Sequence, residues 1–316
     1  MKIANNLTEL IGNTPTVRLN TLPGKEDATI YAKLESYNPG GSIKDRISLG
    51  MVVDAEQQGV LRPGDTIVEP TAGNTGIGLS LVGVARGYRV ILTMPEYISS
   101  EKYALLSAFG AEIVLTPEHG GMASAIWEAE EILRRNSRHY MPNQFTNPAN
   151  PQIHRETTAV EILDAVGKNI DFFVVGVGTG GTLTGVGEVL KAHNPNTKII
   201  AVEPLVSSVL SGGIPGPTRI DGLGAGMVPE VLNVDIIDDV IAISEEVAYQ
   251  TMKDISMKEG LLVGMSSGAN VHAALQVAKS LGPDKTVVTI LPDTGERYFS
   301  LGRYFELESD ILDTLT

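Results

Sequence analysis

A lysine stands at the end of a glycine-rich turn in "NPGGSIKDR", residues 38–46, where the chain enters a helical pattern. Lys44 could hold a phosphate as a cation, sit on the surface, or serve as an amine that forms a covalent bond. Other glycine-rich turns offer anion-binding groups. In "DFFVVGVGTGGTLTG", residues 171–185, Gly176, Gly178 and Gly181 satisfy G-x-G-x-x-G after an apolar run and before a helical one. Glu203 follows at the end of the next apolar run, where a dinucleotide fold places its ribose-binding acid, so a nicotinamide-dependent oxidoreductase is one reading. The same turn would hold a phosphomonoester on its N–H groups, and the hydroxyls of Thr179 and Thr182 favour a compact terminal phosphate. Tight strand-on-helix packing is the plainer use of such glycines. In "EPTAGNTGIGLS", residues 69–80, Thr71, Asn74 and Thr75 with a helix-start backbone form a cradle for a carboxylate. In "VGMSSGAN", residues 263–270, Ser266 and Ser267 stand where a helix N-cap would.

Composition narrows the classes. A net charge of -14 without a basic stripe repels nucleic-acid phosphates. With no cysteine and five scattered histidines, no metal site is expected. The first residues, "MKIANNLTELIG", lack the apolar run of a signal peptide, and no stretch has the length of a membrane span, so the expected location is the cytoplasm.

The elements that must position these groups are legible as alternation. Apolar, β-branched runs ("ATIYAKLES", "TIVEP", "YRVILTMP", "AEIVLTP", "FFVVGVG", "KIIAVEP", "TVVTILPD") alternate with helical patterns such as 121–135 and 268–280. This predicts an α/β fold of mostly parallel sheets flanked by helices. The Pro- and Asn-rich stretch 141–152 is the best candidate for a domain crossing. In such folds ligands bind beyond the carboxyl ends of strands, which points to the loops after "YAKLES", "TIVEP", "FFVVGVG" and "LLVGM".

Together the motifs resemble the fold-type-II pyridoxal-phosphate enzymes, in the branch of cysteine synthase (O-acetylserine sulfhydrylase) and cystathionine β-synthase. The resemblance runs through "LTELIGNTPTVRLN", "YAKLESYNPGGSIKDR", "EPTAGNTGIGL", "MPNQFTNPANPQIHRETT", "GVGTGGTLTGVGEVLK", "VLSGGIPGPTRIDGLGAGMVPEVL", "EGLLVGMSSGAN" and "LPDTGERYFS", which is nearly the whole chain. It implies two α/β domains of the tryptophan-synthase-β-like kind, 1–12 with 35–150 and 13–34 with 151–316. It also implies that Lys44 forms the internal aldimine with pyridoxal 5'-phosphate and that Asn74 bonds the ring oxygen. Gly178, Thr179, Gly180, Gly181 and Thr182 would cradle the phosphate, and Ser266 would face the pyridine nitrogen. Thr71, Ala72, Gly73, Thr75 and Gln144 would bind the substrate carboxylate, with Gly222 lining the same pocket. A homodimer and a complex with the C-terminal peptide of serine acetyltransferase are further implications.

A Schiff base needs an unprotonated amine, which burial and a helix N-terminus both favour at Lys44. Asp45 would oppose this unless it faces away or pairs with Arg46; such a pairing would explain the "KDR" order, which could equally be an exposed pair of little consequence. Once displaced by an amino-acid substrate, the same amine can act as general base at Cα. A neutral serine at the ring nitrogen disfavours a fully delocalised carbanion, which steers the site to β-elimination and replacement. The resemblance therefore implies L-cysteine synthesis from O-acetyl-L-serine and sulfide through an aminoacrylate. Ala72, where the family commonly has serine, keeps open a cystathionine β-synthase that uses O-acetylserine or serine with homocysteine. Met265 in place of the usual isoleucine reads as conservative packing.

Overall fold

A computed structural model describes residues 3–71, 73–96 and 98–305. The apolar runs build two sheets. The larger is ordered β1 (Thr16–Arg18), β2 (Thr29–Leu34), β10 (Thr286–Leu291), β7 (Phe172–Gly176), β8 (Lys198–Pro204) and β9 (Asp239–Ile243). Only the β1–β2 pair is antiparallel. The smaller is ordered β5 (Glu112–Thr116), β4 (Arg89–Pro95), β3 (Thr66–Pro70) and β6 (His139–Tyr140), and it is parallel throughout.

Side chains alternate between two cores across the larger sheet, as the two-residue period of a strand requires. Val174, Ile200, Val202 and Val287 enter one core, while Phe173, Val175, Ile199, Ala201 and Val288 enter the other. The smaller sheet is covered likewise, with Ile67, Leu92 and Met94 on one face and Val68 and Ile91 on the other. Burial on both faces is why these strands read as unbroken apolar runs.

Helices cross between the parallel strands: α1 (Lys44–Gln57), α2 (Asn74–Arg86), α3 (Ser100–Ala108), α4 (Gly121–Arg135), α5 (Ala149–Ile153), α6 (Ala159–Val166), α7 (Gly181–His193), α8 (Glu245–Glu259) and α9 (Met265–Lys279). A π-helical turn, His154–Thr158, joins α5 to α6. Among the described residues no helix is long and apolar enough to cross a membrane.

The predicted strands and both predicted helices are present, α9 beginning three residues earlier than its pattern suggested. "LLVGM" is not a strand; its Val263 makes only an isolated bridge to Thr294. The edge strands β1, β6 and β9 escape an apolar-run criterion because they are short, two to five residues, and mostly half exposed.

Candidate active site

The turns after β2, β3 and β7 and the start of α9 converge on one cavity of about 300 Å³. Lys44 opens α1 at its wall, after a one-turn segment Glu35–Tyr37 and the glycine turn. Its Nζ has no hydrogen-bond partner among the described residues, and burial pushes its pKa down, against the pull of Asp293. An amine so placed is more nucleophilic at neutral pH than a surface lysine.

The pairing of Asp45 with Arg46 is not made. Asp45 turns back to accept the Gly40 N–H at 2.5 Å, and burial raises its pKa to about 7. Arg46 instead lies between Glu35 and Glu161, in a buried network that also holds Lys33. The "KDR" order thus serves two unrelated partners.

Beyond β3, Thr71, Gly73, Asn74 and Thr75 line the cavity at the start of α2, while Ala72 lies outside the described residues. Thr75 donates its hydroxyl to Gln144 Oε1 at 2.6 Å, bringing the loop before α5 to the same wall. Glu69 anchors that loop by accepting the N–H groups of Asn143 (2.9 Å) and Gln144 (3.1 Å). Burial raises the Glu69 pKa to about 7 in spite of these bonds.

The turn after β7 forms the opposite wall. Gly178, Thr179, Gly180 and Thr182 line the cavity, and Gly181 starts α7 behind them. The backbone of Gly178 passes so close to Gly222 that a Cβ would fall 1.9 Å from the Gly222 carbonyl oxygen. Asn150 donates to Thr179 Oγ1 at 3.0 Å, and Thr182 Oγ1 lies 3.2 Å from His154 Nε2. Burial, helped by the Arg46 and Lys44 charges, holds the His154 pKa well below 6.5, so the imidazole is neutral. Gly222 lines the cavity beside this turn.

Ser266 lines it too, from the first turn of α9. Neither Ser266 nor Ser267 caps the helix; the cap position is Gly264. Ser266 is therefore buried without the plain role that its position suggested.

Glu203 does not reach this cavity. Its carboxylate accepts the N–H groups of Leu210 (2.8 Å) and Ser211 (2.9 Å) and organises the loop after β8, so Glu203 is not placed as a ribose-binding acid.

A further group in the wall carries no motif in the sequence. Lys102 and Asp221 form an ion pair in the cavity lining, and Lys102 lies 5.6 Å from the centre of the Tyr298 ring. Asp293, Arg297 and Tyr298 follow β10, whose carboxyl end the strand-end rule should have included. Burial raises the Asp293 pKa, while Tyr298, Asn74 and the Arg297 and Lys102 charges pull it back.

A family model described as "Pyridoxal-phosphate dependent enzyme" matches residues 7–293. A cysteine synthase of Staphylococcus aureus is 52% identical over 304 residues, which cover 96% of this chain and 98% of that protein. The crystal structure of an O-ureido-L-serine synthase covers all of both chains with a TM-score of 0.93 at 42% identity. An O-acetylserine-dependent cystathionine β-synthase from Helicobacter pylori covers 95% of this chain and 98% of its own, with a TM-score of 0.88 at 39% identity.

Proposed function

The chain belongs to the pyridoxal-phosphate dependent enzymes, and from that premise we propose that it is a cysteine synthase making L-cysteine from O-acetyl-L-serine and sulfide. The carrying observation is that a lysine amine with no hydrogen-bond partner among the described residues, a glycine-threonine anion cradle and a second helix-start cradle face one cavity. Neighbours that share the fold are named for different reactions, so the fold alone does not choose the acceptor. The 52% identity to a cysteine synthase favours sulfide.

The residues present suit the cofactor. Gly178 and Gly180 keep the turn free of side chains where it lines the cavity, the Gly222 backbone packing directly against Gly178, and Thr179 and Thr182 add hydroxyls around the N-terminus of α7. In this reading Gly178, Thr179, Gly180, Gly181 and Thr182 hold the phosphate, Asn74 bonds the ring oxygen and Ser266 meets the ring nitrogen. Bound there, pyridoxal phosphate supplies an electron sink for negative charge at the substrate Cα.

Thr71, Ala72, Gly73, Thr75 and Gln144 take the substrate carboxylate at the positive end of α2, with Gly222 across the pocket. This orients Cα–H towards Lys44, whose depressed pKa leaves the amine free to accept the proton. Acetate leaves from Cβ, and sulfide adds there as the proton returns to Cα. Two domains, 1–12 with 35–150 and 13–34 with 151–316, belong to the same reading, supported by β1 and β2 lying in the larger sheet. A cytoplasmic homodimer able to receive the C-terminal peptide of serine acetyltransferase completes it.

The product assay crosses O-acetylserine and serine with sulfide and homocysteine. Cysteine from O-acetylserine and sulfide is expected to form fastest; cystathionine as the dominant product would overturn the acceptor assignment. A second expectation concerns Glu69. Glu69→Gln faces one backbone N–H with an amide nitrogen and loses that bond, shifting Gln144. The KM for O-acetylserine should then rise about tenfold with a smaller change in kcat, and an unaltered KM would remove Glu69 from any positioning role.

A further inference from the structure

The Asn74 side chain is held at both ends. Its Nδ2 donates to Asp293 Oδ2 at 2.6 Å, and its Oδ1 accepts from Arg297 Nη1 at 2.6 Å. Arg297 can only donate, and Oδ2 of Asp293 already accepts the Tyr298 hydroxyl at 2.5 Å. A flipped carboxamide would point its oxygen at the carboxylate and its NH₂ at the guanidinium, so a single orientation is allowed. One N–H of the NH₂ group is then used on Asp293, which leaves the second for the cavity that Asn74 lines.

The surroundings are built to keep this clamp in place. Asp293 and Arg297 are 1% and 6% exposed. Arg297 also donates through Nη2 to the Gly40 carbonyl. A Cβ on Gly41, whose φ is +74°, would come within 2.7 Å of that same nitrogen. A Cβ on Gly264 would lie 2.1 Å from Asp293 Oδ1. Glycines on both sides therefore admit the two charged groups that flank one carboxamide.

We propose that Asp293 and Arg297 are positioning residues that fix the Asn74 carboxamide with one N–H aimed at the ring oxygen of the bound cofactor. This rests on the reading of Asn74 as a cofactor contact, and the experiment separates the two. The holoenzyme and its Asn74→Ala, Asp293→Ala, Asp293→Asn and Arg297→Gln variants are compared by the visible spectrum of bound cofactor and by kcat and KM. Asn74→Ala should shift the visible band and lower kcat. Asp293→Ala should shift the band in the same direction and lower kcat on the order of ten- to a hundredfold, with KM little changed. Asp293→Asn, which keeps a carbonyl acceptor, should recover most of that loss. The Asn74→Ala/Asp293→Ala double variant should be no worse than Asn74→Ala, because one residue acts through the other. Arg297→Gln carries the same test should Asp293→Ala fail to fold. A band unmoved by Asn74→Ala would overturn both the contact and the clamp. A band moved by Asn74→Ala but not by Asp293→Ala or Arg297→Gln, or losses that add in the double variant, would overturn the clamp alone.

Discussion

Lys44→Ala is expected to lower turnover on the order of 10³- to 10⁴-fold and to remove the visible colour of the bound cofactor, without loss of stability. The size follows from the roles that one amine is asked to fill, covalent attachment and proton transfer at Cα. The neutral effect on stability follows from geometry. Nζ makes no hydrogen bond to a described residue, and its pKa is depressed by burial, so the charged form gains nothing from folding. Alanine also suits the first turn of α1. Turnover assays, absorbance and thermal melting on one preparation separate the two effects. A variant that stayed yellow and fully active would end the central assignment; one that was inactive because it melted early would contradict the stability half.

The second large effect is structural. Arg46, 1% exposed, donates to Glu35 at 2.7 and 2.9 Å and to Glu161 at 2.8 and 2.7 Å, and Lys33 meets Glu161 at 2.8 Å. The network ties the strand β2 and the turn after it to α1 and α6, and so carries the lysine-bearing helix on the larger sheet. Arg46→Met leaves Glu35 buried without its cation, and such a break costs about 3–5 kcal/mol. Equilibrium urea denaturation should show a lower midpoint with little change in slope, and a midpoint equal to that of the natural chain would refute it. Acid should weaken the same network. Burial pushes the Glu161 pKa up, but the bonds and charge of Arg46 and the bond from Lys33 outweigh it and hold the group at about 2, below its ordinary 4.5. Because the folded value is depressed, this stabilisation is complete above about pH 4.5 and is lost as the pH falls towards 2. Glu161→Gln should flatten that limb of the stability profile.

Much of this architecture is legible in the sequence because buried parallel strands leave unbroken apolar runs, and because anion-binding turns need glycine and hydroxyl residues in a fixed order. Lys44, Thr71, Asn74, Thr75, Thr179 and Ser266 could be singled out for that reason. The clamp on Asn74 could not. Its partners stand 219 and 223 residues away, and a carboxylate, a guanidinium and a phenol in one turn look like ordinary surface chemistry until the fold buries them. Arg46 misled for the converse reason: its neighbour in sequence carries the opposite charge, but an acid beside a base in a helix does not face it. The edge strand β9 offers only the short run Val240–Ile243 after an aspartate, and its residues are mostly half exposed.

The order of strands in the larger sheet also bears on how a nascent chain assembles. Residues 29–34 of β2 take their parallel partners from 286–291, the strand that links them to β7. The hairpin β1–β2 is made long before β10, and its inner edge waits for residues 286–291. The smaller sheet draws all of its strands from 66–140 and has its partners available at once. During synthesis, then, the smaller sheet can be complete while the β1–β2 hairpin is still open on one side, and β10 is the strand that joins that hairpin to the rest of the larger sheet.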